Sequence, residues 1–245
     1  MTTLFISDLH LDPSRPQITA QFLEFLATEA HGAEALYILG DFFEVWIGDD
    51  DPDAHHARVL AGVHALSAAG IPVFFMHGNR DFLIGERFAV ATGCRLLPDP
   101  SVVELYGTAT LLMHGDTLCT EDTEYQAFRR TMRDPTWQQA FLARPLAERR
   151  DFARRARNAS QNRNAEKADY LMDVNQGEVE RVMRAHSVTR LIHGHTHRPA
   201  VHRFTADGRE HTRIVLGDWY AQSSVLSVDA HGFELHDRRV ARSDG

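Results

Sequence analysis

Residues 36–41 of this chain are Leu-Tyr-Ile-Leu-Gly-Asp, a short apolar run that ends in a glycine and an aspartate. A continuous apolar run followed by a turn residue is typical of a strand that is buried on both faces of a parallel sheet. Gly40 allows the backbone to turn sharply where the strand ends, because glycine adopts positive φ at little cost. The sequence therefore predicts that Asp41 lies just beyond the edge of a buried sheet.

Four more apolar runs along the chain end in polar residues of the same kind. They are residues 3–6 before Asp8 and His10, residues 73–76 before Asn79, residues 111–113 before His114, and residues 191–192 before His195 and His197. Helical stretches at residues 19–31 and 54–69 separate the first three predicted strands. This alternation predicts an α/β protein, and ligands of α/β sheets bind at the carboxyl ends of the strands. We therefore expect the five strand ends to form one site.

Two later regions depart from this alternation. Residues 125–186 favour helices, which Pro135 and Pro145 divide into shorter pieces. We interpret the chain as two core segments with a helical insertion, or lid, between them: residues 1–121, 122–168 and 169–245. Three short runs near the C-terminus predict a β-meander, at residues 213–216, 224–228 and 233–236.

The composition is that of an ordinary globular protein that is not a general nucleic-acid binder. Its 26 basic and 34 acidic residues leave a net charge of −8, whereas proteins that bind nucleic acid nonspecifically are basic. No apolar run approaches the roughly 18–20 residues of a membrane span, and the N-terminus lacks the pattern of a signal peptide. Cys94 and Cys119 form no Cys-x-x-Cys pair, so we expect reduced thiols in a cytoplasmic protein.

The side chains at the strand ends favour divalent metal ions. Imidazole, carboxylate and amide groups suit Mn, Fe or Zn, and the lack of thiolates argues against a structural zinc site. Asp41 is placed to bridge two ions. We assign one ion to Asp8, His10, Asp41 and His197, and the other to Asp41, Asn79, His114 and His195. Two divalent ions with two aspartates leave a charge of about +2, which suits an anionic phosphate ester or diphosphate.

Each motif is weak when it is considered alone. Asp-x-His, Gly-Asp and His-x-His sequences also occur in ordinary turns, and His77 and His193 are better interpreted as packing or supporting groups than as ligands. The joint occurrence of five polar signatures, each at the end of a predicted strand, favours a metal site. Two such ions, about 3.5–4 Å apart, can acidify a water molecule and clamp an in-line displacement at phosphorus.

Six blocks of the sequence resemble those of the calcineurin-like metallophosphoesterase superfamily. They are residues 6–11 (Ile-Ser-Asp-Leu-His-Leu), 40–50, 77–82 (His-Gly-Asn-Arg-Asp-Phe), 114–116 (His-Gly-Asp), 173–175 (Asp-Val-Asn) and 192–199. Within the superfamily they are most similar to the bacterial family that hydrolyses UDP-2,3-diacylglucosamine in lipid A biosynthesis. The resemblance covers residues 4–236 and implies an αββα sandwich of two mixed β-sheets flanked by helices.

The resemblance also implies the chemistry of the site. It implies two Mn²⁺ ions at the seven ligand positions and hydrolysis of a pyrophosphate bond to UMP and 2,3-diacylglucosamine 1-phosphate (lipid X), by attack of metal-activated water on the α-phosphorus. It implies catalytic roles for Arg80 and His195. The implied substrate contacts are Asn79, Arg80, Asp122, Ser160, Asn164, Lys167 and His195. It further implies a monomer attached peripherally to the cytoplasmic face of the bacterial inner membrane.

Arg80 departs from the pattern of many superfamily members, which have histidine at this position. Histidine can protonate a leaving alkoxide, whereas arginine stays charged and is a poor proton donor. In a pyrophosphate the leaving group is itself a phosphate, which departs without protonation. We therefore expect Arg80 to stabilise charge during phosphoryl transfer.

The predicted insertion suggests where a lipid substrate binds. Ser160, Asn164 and Lys167 share one helix face, a spacing that by itself indicates a solvated surface and that the resemblance assigns to the substrate. The insertion combines apolar residues with arginines: Phe128, Met132, Trp137, Phe141, Leu142, Leu146 and Phe152 with Arg144, Arg149, Arg150, Arg154, Arg155 and Arg157. These residues can pack on the core, lie on an anionic membrane surface or line a groove for acyl chains. Our hypothesis is an apolar chamber beside the metals.

Two other functions remain open from the sequence. The first is a different dinuclear-metal phosphodiesterase or phosphatase, acting on a nucleotide or a phosphoprotein. Arg80 and the long apolar and basic insertion count against it. The second is a non-catalytic scaffold that keeps the fold as a binding surface. A scaffold is free to lose metal ligands, whereas all seven are present in this chain.

Overall fold

The computed structural model describes residues 1–166, 173–220 and 222–239, without the side chains of residues 159–166 and 238–239. Within these residues, two mixed β-sheets pack face to face and helices flank them, which confirms the predicted αββα architecture. The first sheet contains, in spatial order, β11 (Gly232–Arg239), β10 (Gln222–Asp229), β1 (Thr3–Ile6), β2 (Ala35–Leu39), β3 (Val73–Met76) and β4 (Arg95–Leu97). The second contains β5 (Ser101–Leu105), β6 (Thr108–Met113), β7 (Arg190–His193), β9 (Arg209–Val215) and β8 (Ala200–Ala206).

The strands that carry the polar signatures run parallel within each sheet. In the first sheet β1, β2 and β3 are parallel, with Ile6 opposite Ile38. In the second sheet β6 and β7 are parallel, with Met113 opposite His193. The carboxyl ends of parallel neighbours lie at the same edge of a sheet. The polar residues that follow these strands are therefore adjacent within each sheet.

The apolar runs are continuous because both faces of the strands are buried. Successive side chains of a strand point to opposite faces. Phe5 and Leu39 face the second sheet, where they pack with Leu112 and Ile192. Ile6, one residue from Phe5, instead packs under the helices that cover the first sheet. Each fully buried side chain of this size contributes roughly 1.5–3 kcal/mol of hydrophobic stabilisation.

The helices cover the outer faces of the two sheets. The described residues form seven α-helices, which are α1 (Pro16–Ala27), α2 (Ala54–Ala68), α3 (Glu86–Thr92), α4 (Thr123–Met132), α5 (Pro135–Leu142), α6 (Leu146–Glu166) and α7 (Gln176–Ala185). Phe22 of α1, Val63 of α2 and Phe88 of α3 pack on the first sheet. Val179 and Met183 of α7 pack on the second sheet. No helix of the described residues combines the length and the apolar character needed to cross a membrane.

The prediction of a C-terminal β-meander is wrong. β9 lies in the second sheet, where it pairs in parallel with β7 and antiparallel with β8. β10 and β11 form an antiparallel hairpin on the first sheet, next to β1. The chain crosses between the sheets at Leu216 and Trp219, whose amides donate to the carbonyls of His193 and Asp8. Local alternation identifies strands but cannot tell which sheet a strand joins.

Other differences concern short or exposed segments. The sequence did not predict β4, β5 or β8, whose side chains are mostly half-buried or exposed and therefore lack a strong apolar pattern. The first helix begins at Pro16, earlier than predicted, because proline is favourable in the first turn of a helix. It ends at Ala27, and a separate short 3-10 turn follows at Ala30–Gly32.

The helical character predicted for residues 125–186 is confirmed for the described residues. Asp134 accepts a hydrogen bond from the Trp137 amide at 2.9 Å and begins α5, with Pro135 in its first turn. Pro145 directly precedes α6. Arg149 of α6 is buried and donates to the carbonyl of Ile47 at 2.8 Å and to Asp50 Oδ1 at 2.7 Å. These bonds attach the start of α6 to the loop after β2.

Candidate metal centre

The loops after β1, β2, β6 and β7 contact one another at the boundary between the two sheets. The amide of Asp8 donates to the carbonyl of Gly40 at 3.0 Å, and the amide of Gly194 donates to the carbonyl of His114 at 2.9 Å. The amide of His195 donates to Asp8 Oδ2 at 2.9 Å and so connects the two sheets. The strand ends predicted to converge are therefore in contact.

Five of the seven predicted ligand residues have left-handed backbone conformations. Their φ angles are 56° at Asp8, 48° at His10, 50° at Asp41, 69° at His195 and 56° at His197. Non-glycine residues adopt positive φ rarely, and such strain concentrates at functional sites. Gly40 has the predicted positive φ, at 87°, and the structure places the same conformation on these polar residues as well.

The first group of candidate metal ligands consists of Asp8, His10 and His197. The Nε2 atoms of His10 and His197 lie 3.2 Å apart, and His197 Nε2 lies 3.4 Å from Asp8 Oδ1. One ligand atom from each of the three residues lies within 4.8 Å of the others. Asp8 Oδ1 is buried, and its contact with His197 Nε2 is longer than a usual N–H···O hydrogen bond. This arrangement fits a cation that all three side chains contact.

The second group consists of Asp41, His114 and His195, with Asn79 beside it. Asn79 Oδ1 lies 3.0 Å from His114 Nε2 and 2.9 Å from His195 Nδ1. Asp41 Oδ1 lies 3.7 Å from His114 Nε2, while Asp41 Oδ2 lies 3.7 Å from His10 Nε2 of the first group. Asp41 therefore faces both groups, as predicted for a bridging ligand. Oxygen and imidazole donors without thiolate suit Mn²⁺, Fe²⁺ or Zn²⁺.

Three of the four candidate ligand histidines contact a supporting group through their other ring nitrogen. His10 Nδ1 lies 2.9 Å from Glu44 Oε2, and His197 Nδ1 lies 3.2 Å from Asp218 Oδ2. His114 Nδ1 lies 2.9 Å from the carbonyl oxygen of Leu39. Such partners fix the orientation of metal-binding histidines and increase their basicity.

The sequence analysis did not single out Glu44 or Asp218. Asp218 follows Leu216 and Gly217, so it ends a strand with the same Leu-Gly-Asp sequence as residues 39–41. That repeat was a signal that sequence reasoning missed. Glu44 is an acidic residue inside an apolar stretch of residues 42–47, and its burial at 4% exposure agrees with a fixed role.

The electrostatic environment keeps the buried carboxylate of Asp8 ionised. Burial alone would raise the pKa of Asp8, but the hydrogen bond and charge of His197 and the charge of His114 hold it below its ordinary value. Burial lowers the pKa of His197, yet its hydrogen bonds with Asp218 and Asp8 raise it to about 10. Burial and the neighbouring charge of His114 lower the pKa of His195 to about 4. The carboxylate is therefore available to pair with cations near neutral pH.

Asp81 holds the loops after β2 and β3 together. Its side chain is fully buried and accepts hydrogen bonds from the amides of Gly78 and Phe42, both at 2.7 Å. A Cβ atom at Gly78 would lie 2.2 Å from the Asp41 nitrogen, so only glycine fits this close approach. Burial and the charge of Asp41 raise the pKa of Asp81 to about 6. Asp81 thus positions Asp41 and Asn79 without facing the cavity.

Two adjoining cavities open onto the ligand groups. The first is a polar chamber of about 720 Å³, and the second is a narrower apolar cleft of about 120 Å³. Both are lined by Glu44, Asn79, Arg80, Tyr125 and Arg157. The polar chamber also contains the predicted substrate residues Asp122 and His195. Ser160 and Asn164 belong to α6, but their side chains lie outside the described part of the chain, as does Lys167 altogether.

The insertion supplies most of the apolar cleft. Five of its predicted apolar residues line the cleft, namely Phe128, Met132, Trp137, Phe141 and Phe152. Core residues form the rest of its apolar wall, namely Val45, Trp46, Ile47, Phe82 and Leu83. The arginines of the insertion mainly face acidic residues: Arg150 Nη2 lies 2.5 Å from Asp51 Oδ1, and Arg157 Nε lies 3.1 Å from Glu44 Oε1. The insertion therefore covers the core through both apolar contacts and ion pairs.

The fold and the two ligand groups are those of a metal-dependent phosphoesterase. Residues 1–199 match the calcineurin-like phosphoesterase family, and the chain belongs to this family. A solved archaeal phosphodiesterase has the same fold, with a TM-score of 0.50 and 14% identity, over 97% of this chain and 99% of that one.

More similar relatives narrow the identification to one group within the family. A protein of Xanthomonas axonopodis pv. citri (strain 306) named UDP-2,3-diacylglucosamine hydrolase is 59% identical over 96% of this chain and 98% of its own length. A protein of the same name from Stenotrophomonas maltophilia (strain K279a) is 55% identical over the same shares. The predicted resemblance to these hydrolases is confirmed, and the chain is a hydrolase of this group.

Proposed function

We propose that the protein hydrolyses the pyrophosphate bond of UDP-2,3-diacylglucosamine, giving UMP and 2,3-diacylglucosamine 1-phosphate in lipid A biosynthesis. The observation that carries this proposal is the position of the ligand groups, where a polar chamber adjoins an apolar cleft. A diphosphate that carries acyl chains needs both environments side by side. The names of the relatives support the same substrate.

The candidate ligands are proposed to hold two Mn²⁺ ions. Asp8, His10, Asp41 and His197 would hold one ion, and Asp41, Asn79, His114 and His195 would hold the other. When bound, the two cations supply an acidified water for attack on the α-phosphorus and neutralise the charge of the phosphates. The chain itself orients the ligands through Glu44 and Asp218.

Arg80 is proposed to stabilise the negative charge that develops on the diphosphate. It lines both the polar chamber and the apolar cleft, so it lies between the sites for the phosphates and the acyl chains. Its amide donates to Asp41 Oδ1 at 2.8 Å, which fixes its backbone beside the ligand groups. Its Nε is buried without a hydrogen-bond partner among the described residues. A guanidinium with an unused donor is suited to a phosphate oxygen.

His195 and Tyr125 are proposed to form the wall against which the phosphates lie. Their rings stack with centroids 5.9 Å apart. Tyr125 in turn donates from its hydroxyl to Asp116 Oδ2 at 2.7 Å, and Arg129 Nε donates to the same oxygen at 2.7 Å. This arrangement connects α4 of the insertion to the loop after β6. The insertion therefore supports the orientation of His195.

We propose that the lipid half of the substrate binds under the insertion. Asn79 and Asp122, with Ser160, Asn164 and Lys167 of the insertion, are proposed to bind the phosphosugar, and the acyl chains to enter the apolar cleft. Phe128 and Leu142 of the insertion are 37% and 39% exposed. We propose that such residues contact the cytoplasmic face of the bacterial inner membrane, where a monomer can take up its lipid substrate.

The test is a product analysis with the Mn²⁺-loaded protein. UDP-2,3-diacylglucosamine should yield UMP and the acylated sugar 1-phosphate, and ¹⁸O from labelled water should enter UMP. A generic chromogenic phosphodiester and deacylated UDP-glucosamine should react far more slowly, because neither fills the apolar cleft. Equal rates on all three compounds would identify a general phosphodiesterase instead.

A further inference from the structure

The polar chamber has one end that the proposed function leaves unassigned. We call this the Tyr220 end; Ser14, Arg15 and Tyr220 line it, next to the ligand residues His10 and His197. None of these residues lines the apolar cleft. Tyr220 and His197 have ring centroids 5.8 Å apart. The Tyr220 end therefore adjoins the first ligand group.

Tyr220 exposes an aromatic ring inside a polar chamber. The residue is 44% exposed, and its ring stacks on His10 with centroids 5.3 Å apart and an interplanar angle of 13°. In the described part of the chain, Phe128 is the other aromatic residue among the large exposed apolar side chains, and it lines the apolar cleft. The exposed part of this aromatic side chain, beside a phosphate site, is suited to contact with a nucleobase, since every base has a π-face.

Arg15 provides a cation at the same end. Its guanidinium carbon lies 4.3 Å from the centre of the Tyr220 ring. Its Nη2 donates to the carbonyl of His10 and lies 3.8 Å from Glu44 Oε2, so the side chain is held in place. Its Nη1 is buried without a hydrogen-bond partner among the described residues. Arg15 therefore keeps a fixed donor for an anionic oxygen.

The position of the ligand groups determines where the two halves of the substrate lie. Hydrolysis of a pyrophosphate separates two phosphates, which must both lie near the metal ligands. The lipid half extends from one phosphate into the apolar cleft, on the side where Tyr125 stacks on His195. The nucleoside extends from the other phosphate and cannot occupy the same cleft. The Tyr220 end is the part of the polar chamber that lies beside the other ligand group.

We propose that the uridine half of the substrate binds at the Tyr220 end, with the uracil against Tyr220 and the ribose phosphate beside Arg15. This inference rests on the proposed function, because it takes UDP-2,3-diacylglucosamine as the substrate. It assigns nucleotide recognition to the loops after β1 and β9, which lie outside the insertion. The lipid and nucleotide halves are then recognised by different parts of the chain.

Calorimetry on the Mn²⁺-loaded full chain tests this assignment without turnover. UMP should bind about tenfold more tightly than ribose 5-phosphate, as expected for one stacked base. Tyr220→Ala should bind the two compounds equally, with the affinity for ribose 5-phosphate unchanged. Tyr220→Phe should keep the preference for UMP because it keeps the ring. Phe128→Ala, at the apolar cleft, should also keep it.

Two results would overturn the assignment. One is a Tyr220→Ala protein that keeps the full preference for UMP. The other is an equal loss of affinity for UMP and for ribose 5-phosphate, which would indicate damage to the ligand group beside His10. Hydrolysis of UDP-2,3-diacylglucosamine by the unmodified protein tests the proposed function separately. If the protein prefers UMP but does not hydrolyse UDP-2,3-diacylglucosamine, the proposed substrate is wrong and the nucleotide site is retained.

Discussion

At the scale of single residues, backbone strain is concentrated at the residues whose side chains face the candidate centre. Asp8, Asp41 and His195 all have positive φ, a conformation that costs a non-glycine residue about 1–3 kcal/mol. Hydrogen bonds between the loops hold this conformation, for example from the Asp8 amide to the Gly40 carbonyl. The strained turns direct the polar side chains toward the candidate centre. In a regular strand, successive side chains would instead point to opposite faces of the sheet.

Asp41→Ala is expected to reduce hydrolysis by at least about 100-fold and to lower the bound Mn²⁺ measured by mass spectrometry. The reason is that Asp41 faces both ligand groups, with its two carboxylate oxygens 3.7 Å from His114 and His10. Asp207→Ala is the matched control, since Asp207 also has positive φ but pairs with Arg184 on the surface. Full activity in Asp41→Ala would contradict a bridged pair of cations.

At the scale of secondary-structure elements, ion pairs join α6 to the loop after β2. Arg149 is buried at 2% exposure and makes three hydrogen bonds to that loop, one to the Ile47 carbonyl and two to the Asp50 carboxylate. Gly48 lies between them with φ of +133°, and a Cβ atom there would approach Arg149 Nη1 to 2.5 Å. The loop and the helix therefore depend on each other, and Trp46 and Ile47 of this loop line the apolar cleft.

Arg149→Met is expected to loosen the start of α6 and to lower the free energy of unfolding by about 1–2 kcal/mol. The cost is modest for a buried arginine because Asp50 is 45% exposed and water can solvate it once the partner is lost. Hydrogen exchange should become faster in α6 while β1 to β3 stay protected. Arg154→Met serves as the control, because its pair with Asp151 is exposed and should contribute little. Unchanged exchange in α6 would argue against an anchoring role for Arg149.

At the scale of the whole molecule, the candidate centre joins the two sheets. Its ligands come from the loops after β1, β2 and β3 of the first sheet and after β6 and β7 of the second. Ions bound by such a set stabilise the folded chain, because the unfolded chain does not form the site. Metal content should therefore influence the stability of the entire sandwich.

Thorough chelation is expected to abolish hydrolysis and to lower the melting temperature measured by calorimetry. Mn²⁺ added back should restore both quantities, since the ligands lie on elements that fold with the core. The comparison requires equal protein concentration and ionic strength in all samples. Undiminished hydrolysis by the chelated protein would be incompatible with two catalytic cations.

A second whole-molecule prediction concerns the pH dependence of stability. Burial and the charge of Asp116 raise the pKa of Asp99 to about 6 from its ordinary 3.8. Its nearest cation is Arg129, at 3.9 Å, and neither oxygen has a hydrogen-bond partner among the described residues. The folded protein therefore holds the carboxyl proton of Asp99 more tightly than the unfolded chain does. Protonated Asp99 makes its full contribution to the free energy of unfolding below about pH 4, and this contribution is lost as the pH rises through about 6.

Asp99→Asn should accordingly raise the melting temperature at pH 8, by the equivalent of roughly 1–3 kcal/mol, with a clearly smaller increase at pH 4.5, where the folded protein still holds the Asp99 proton. Thermal unfolding of both proteins across this pH range provides the measurement. Asp229→Asn is a suitable control, because Asp229 ends β10 and its carboxylate accepts hydrogen bonds from the amides of His231 and Gly232, which an asparagine side chain can also accept. A variant that is less stable than the parent at pH 8 would show that the ionised form is favoured instead.

Much of the architecture was predictable because its signals are local. Residues 36–41 predicted a buried strand with a polar end, and β2 ends at Leu39 with Gly40 and Asp41 directly after it. Pro135 and Pro145 marked the starts of α5 and α6 in the same way. The edge strand β8 was not predicted, because its side chains are mostly exposed and its apolar pattern is weak.

The polar signatures alone identified the residues that meet at the candidate centre, because strand periodicity and turn chemistry act over a few residues. Tertiary structure alone decided which sheet each strand joins and which groups support the ligands. Asp8 and His195 are 187 positions apart in the chain, yet the His195 amide lies 2.9 Å from Asp8 Oδ2. Asp218 and Tyr220 reach the same centre from the loop after β9, and Arg15 reaches it from the loop after β1. Such neighbours result from the packing of two sheets, a long-range outcome that no local pattern encodes.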